Sequence, residues 1–113
     1  MNDITIYFSD DSELGEYEAQ NKGYRSDVVV RTGNNFYKIM IYAMIRLQQD
    51  FNSEIKNYGF YAMEPNMILV NDTNKNEIIE TIKKNYEQKY FIELKPSENL
   101  PIEQLTKVFW INC

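Results

Sequence analysis

The sequence predicts an α+β domain: a single mixed, mostly antiparallel sheet with two main helices packed on it and a short C-terminal helix. Three observations carry this. Short β-branched and aromatic runs recur at 4–8, 26–31, 36–42 and 66–70. Twice between or after them the apolar spacing lengthens to three and four residues, the period of a helix. A chain of 113 residues, 43% apolar, has enough material for one core, so 1–113 reads as a single domain.

Residues 4–8 (Ile-Thr-Ile-Tyr-Phe) are the first strand. Residues 9–22 are polar and acidic, contain Gly15 and precede Gly23; they read as a long loop with room for one helical turn. Long loops in compact domains often carry function. Residues 26–31 are the second strand, Thr32-Gly33-Asn34-Asn35 the hairpin turn, and 36–42 the third strand. In that third strand Tyr37, Ile39 and Ile41 alternate with Phe36, Lys38, Met40 and Tyr42, so both faces are largely apolar, as in a central strand.

Met44, Leu47, Phe51, Ile55 and Tyr58 then form one stripe of an amphipathic helix, with Gly59 as its stop. The stripe is expected to face the core. Residues 60–63 read as a short strand or an extended link, interrupted by Pro65, and 66–70 as a buried strand. Asn74 with Glu77 three residues on opens a second helix, whose face is Ile78, Ile79, Ile82 and Tyr86. Residues 90–94 read as another strand, ended by Lys95-Pro96. Pro101 opens the short helix that turns Ile102, Leu105 and Val108 inward, and 109–111 is a docked apolar tail. The helices are expected on one side of the sheet.

Composition narrows the chemistry. The chain has no histidine, which removes Ser-His-Asp and Cys-His catalysis and the usual general base near neutral pH. Its one cysteine, Cys113, cannot form a disulfide within the chain and cannot build a thiolate zinc site. The four glycines are scattered, so no phosphate-binding loop is present. A calcium loop starting at Asp10 would place Gly15 at its turn, but Leu14 and Asn21 stand where two oxygen ligands are required. Asp50 and Glu54 share a helix face with Arg46, which reads as a solvated ion-pair ladder. The expectation is therefore no catalytic residues, no cofactor and no metal. No apolar run approaches the roughly 20 residues needed to span a bilayer, and the N-terminal residues lack a basic, then apolar, export signal. A cytoplasmic location is expected.

The net charge of −5 is unevenly placed. Residues 1–20 carry six acidic groups and no basic one, so the remainder is close to neutral. Such a segment repels nucleic acid and attracts basic proteins. Nine tyrosines accompany it, and Tyr is a frequent interface anchor. Asp10, Asp11, Glu13, Glu16, Tyr17, Glu18 and Tyr24 are accordingly the candidate partner-binding residues.

Five segments then resemble the small bacterial immunity proteins of polymorphic toxin and contact-dependent growth inhibition systems. They are Tyr37-Lys38-Ile39-Met40-Ile41-Tyr42, Arg46-Leu47-Gln48-Gln49-Asp50-Phe51, Gly59-Phe60-Tyr61, Pro65-Asn66-Met67-Ile68-Leu69-Val70 and Tyr90-Phe91-Ile92-Glu93-Leu94-Lys95-Pro96. The resemblance spans residues 24–96. It implies a protein that is not an enzyme and that neutralises a cognate toxin, often a nuclease, by occluding its basic substrate-binding surface. Two other readings fit the same residues: an acidic adaptor or antirepressor module, and a small-molecule-binding domain with a pocket of converging carboxylates.

Overall fold

The computed structural model describes residues 3–63, 65–89, 91, 94–97, 100 and 102–111. Along these the order is β1 (Ile4–Phe8), α1 (Glu13–Lys22), β2 (Tyr24–Thr32), β3 (Asn35–Ala43), α2 (Met44–Tyr58), β4 (Met67–Val70), α3 (Lys75–Glu87), a 3₁₀ turn (Ile102–Gln104) and β5 (Thr106–Ile111). The architecture is α+β, one five-stranded mixed sheet with three helices, in strand order β4-β3-β2-β1-β5. β2 pairs antiparallel with β1 and β3, and β5 antiparallel with β1. The expected predominance of antiparallel pairing breaks at β4, which runs parallel to β3 because α2 carries the chain back as a crossover.

Two helix expectations need correction. Residues 13–22, read as loop, form α1. Ser12 is its N-cap and accepts from the Gly15 N–H, Glu13 and Glu16 sit in its first turn, Lys22 in its last, and Gly23 closes it. These caps and charges suit the helix dipole without any apolar stripe. The C-terminal helix reduces to the 3₁₀ turn, and the docked tail is part of strand β5. Thr106-Lys-Val-Phe-Trp-Ile is rich in β-formers and finds the edge of β1, where Ile6 stands opposite Phe109. Of the strand expected at 90–94, residues 90, 92 and 93 lie outside the described residues; Phe91 and Leu94 are both buried. Pro101 and Cys113 also lie outside them.

Alternation in the strands divides the sheet into two faces. One carries Ile6, Phe8, Val28, Val30, Ile39 and Ile41, and α3 lays Ile78, Ile79 and Ile82 against it. Burying each such side chain contributes about 2–3 kcal/mol. Tyr37 and Tyr86 close this core edge-on against Phe91, at centroid distances of 5.2 and 6.2 Å. The N-terminus of α3 is held as the Asn-x-x-Glu spacing predicts, with Asn74 Oδ1 accepting from the Glu77 N–H at 2.8 Å. α1 lies beside α3: Thr73 donates its hydroxyl to the Ala19 carbonyl at 2.8 Å, in a buried position.

α2 is placed differently. Its contacts run to Tyr24 and Tyr42, and Tyr42 lies on the face opposite Ile41. The helices therefore do not share one side of the sheet. No residue of α2 is buried, and of the stripe expected in the core only Leu47 is half-buried while the rest is exposed: Phe51 is 47% and Tyr58 69% accessible. What α2 turns inward is its polar flank. Arg46 lies 5.0 Å from the Tyr24 ring centroid, donates to the Lys22 carbonyl at the end of α1 (2.9 Å) and pairs with Asp50 (3.0 Å). A carbonyl at a helix C-terminus is a favourable seat for a guanidinium.

Candidate functional site

The acidic segment separates into groups that hold the fold and groups that face solvent. Asp10 accepts from both the backbone N–H and the hydroxyl of Ser12, which lowers its pKa from the ordinary carboxylate value. Asp11 pairs with Lys75 at 2.9 Å, and Glu16 accepts from the Lys75 N–H at 2.9 Å, capping the first turn of α3. These three residues tie α1 to its neighbours. Glu13, Leu14, Tyr17 and Glu18 project outward, with Leu14 65% and Tyr17 61% accessible. Glu18 reaches Lys22 at only 3.9 Å, both side chains half exposed, a pair worth little in water.

Beneath this corner a buried arginine fixes the start of β2. Arg25 lies 3.8 Å from the Phe8 ring centroid, donates its Nε to Asp27 at 2.6 Å and also donates to the Asp10 carbonyl. Burial raises the Asp27 pKa, but hydrogen bonds and charge from Arg25, with the Asp10 N–H and the Ser9 hydroxyl, bring it below the ordinary value. Asp27 is thus held ionised beside its guanidinium. The register of β2 against β3 shifts between Arg25 and Val28, which lets Arg25 and Ile41 pair while Val28 meets Ile39. Asp10, Glu18, Lys22, Tyr24, Arg25 and Asp27 help to line an open cleft of about 210 Å³ between α1 and β2.

Of the seven sequence candidates, Asp10, Glu18 and Tyr24 meet at this cleft. Glu13 and Tyr17 share the exposed side of α1, and Asp11 and Glu16 face α3 instead. Tyr24 is stacked on Tyr42 at 5.6 Å and supports Arg46, so much of its ring is already in use. Burial, then the charge of Asp50 and the neighbouring Tyr61, raise the Tyr42 pKa. Sequence reasoning missed Leu14, Arg25 and Asp27. A lone Arg in a strand and a Leu in an acidic run carry no local signal. It also missed the exposed α2 stripe, whose spacing is the same whether buried or not.

Among the described residues, no group of three or more His, Cys, Asp and Glu side chains is placed to hold a metal ion. No described helix is long and apolar enough to cross a membrane. Compared with family models, curated proteins and solved structures, the chain matches none of them.

Proposed function

We propose that this chain is a binding protein of the immunity type, which neutralises a cognate bacterial toxin of the nuclease class by covering its basic substrate surface. It works in the cytoplasm and catalyses no reaction of its own. The observation that carries the reading is the outer side of α1: an apolar and aromatic pair, Leu14 and Tyr17, set between the carboxylates of Glu13 and Glu18. An aromatic anchor within a negative rim suits a groove built to hold phosphates. The charges supply steering and the ring supplies contact area. The helix is already ordered by its caps and by the links from Asp11 and Glu16 to Lys75, so little ordering cost remains for binding.

The test begins with capture from native cell lysate at low and at moderate salt. One stoichiometric basic partner, with nuclease activity that the captured protein blocks, is expected; the absence of such a partner overturns the toxin reading. Glu13→Lys with Glu18→Lys then probes the surface, because the two residues give the fold only a first-turn charge and an exposed pair with Lys22. The double variant should associate roughly tenfold more slowly and with less salt dependence. An unchanged association rate would remove α1 from the interface. An acidic partner would point to the adaptor reading instead.

A further inference from the structure

α2 presents an apolar surface that the described chain leaves largely exposed, with Tyr61 set edge-on against Phe51 at a centroid distance of 6.1 Å. Met44, Phe51, Ile55 and Tyr58 lie along one side of the helix, and the exposed Phe60 and Met63 follow in the link after it. All six are among the exposed large hydrophobic residues. At roughly 200 Å² for a fully exposed side chain of this size, their exposed parts total about 700 Å². The four on the helix fall within the roughly 300–600 Å² of the largest apolar patch on an ordinary monomer, and the six together exceed it. It approaches the about 800 Å² that each partner brings to a standard interface.

Charge decides what fits. The acidic excess of the chain lies at α1, whereas α2 carries Arg46 and Lys56 against Asp50 and Glu54 and is formally neutral. A basic partner has nothing to gain from α2. A second copy brings an equally neutral helix, so the −5 of each chain repels only from outside the contact. We propose that the α2 stripe is a homodimer interface, in which two copies of the helix pack antiparallel across a two-fold axis. The same side chains then serve both partners, as an isologous contact requires. Phe51, midway along Met44–Tyr58, lies nearest the axis and meets its own copy. This pairing leaves the outer side of α1 free and does not depend on the toxin reading.

Sedimentation equilibrium of the full chain from nanomolar to high micromolar concentration tests it, with Phe51→Glu and Tyr58→Glu in parallel. The unaltered chain should reach twice its 13.5 kDa mass. Each variant should dissociate roughly thirtyfold more easily or remain a monomer. Far-ultraviolet circular dichroism of both dilute variants should match the unaltered monomer; Phe51→Glu gives up the edge contact with Tyr61, and Tyr58→Glu, at a residue 69% exposed, should also leave unfolding unchanged. In a Cys113→Ser background, Phe51→Cys should cross-link two copies on oxidation, and Ser53→Cys should not. A monomer at every concentration overturns the proposal. So does a dimer that persists in both variants, which would place the contact elsewhere, for instance at the outer edge of β5.

Discussion

α2 and α3 are both amphipathic, yet α3 buries Ile78, Ile79 and Ile82 while α2 buries no residue at all. The difference lies in how each is anchored. α3 is capped by Asn74, receives Glu16 and Asp11 at Lys75, and lies over a sheet face already lined with Ile, Val and Phe. α2 starts from Ala43, which offers no side-chain cap, and is held by Arg46 and Asp50 against tyrosines and a helix end. The polar flank wins the inward position because Arg46 gains an ion pair, a carbonyl and an aromatic face together. An apolar stripe thus establishes that a segment is a helix, but the layer beside it decides whether the stripe is core or surface.

The same substitution on the two helices gives the largest and the smallest expected effects. Ile82→Ala, at a fully buried site, should cost about 2–5 kcal/mol in urea unfolding. A loss below about 1 kcal/mol would mean that α3 is not the core helix. Gly23→Ala attacks the seat of α2 next. Gly23 adopts φ 78°, and an added Cβ would stand 2.8 Å from the Arg46 Cβ. Left-handed strain and this clash together should cost about 2 kcal/mol, read as a lower unfolding midpoint. A neutral result would show that α2 is not held at this corner.

The α1 corner should be the acid-sensitive one. Asp27 has a folded pKa below its reference of 3.8, so its contribution is present above pH 3.8 and is lost as pH falls through the folded value. Arg25→Met removes the group that lowers it, and burial then pushes the pKa upward. That variant should lose stability at higher pH than the unaltered chain in acid titrations followed by Trp110 fluorescence. Coincident acid curves would remove the Arg25–Asp27 pair from the account. Asn74→Ala, which deletes the α3 cap, should cost about 1 kcal/mol; thermal unfolding reads this directly. Ile45→Ala on α2, at a residue 67% exposed and off the stripe, should stay within about 0.5 kcal/mol. A cost as large as that at Ile82 would mean that α2 is buried after all.

Much of the fold was legible because its signals are local. Alternation placed β1 and β3 closely and β2 within two residues at its start. Spacing placed α2 and α3, and Gly59 and Asn74 marked their ends. α1 escaped because its evidence was in its caps, Ser12 and Gly23, and not in an apolar period. β5 escaped because 106–111 becomes a strand only beside the free edge of β1. For the site, charge clustering located the right segment but could not divide it. Asp11 and Glu16 find Lys75, some 60 residues away, and no local pattern announces that.

Sequence alone determined the composition of this protein's chemistry, the number and type of most of its elements, and the concentration of negative charge near one end. Those depend on residues close together in the chain, where rotamer preference, period and charge act directly. Tertiary structure decided the parallel seat of β4, the division of the acidic residues into scaffold and surface, and the outward roll of α2. Each of these turns on which distant groups meet, and a single guanidinium with three partners outweighed the preference of an apolar stripe for the interior.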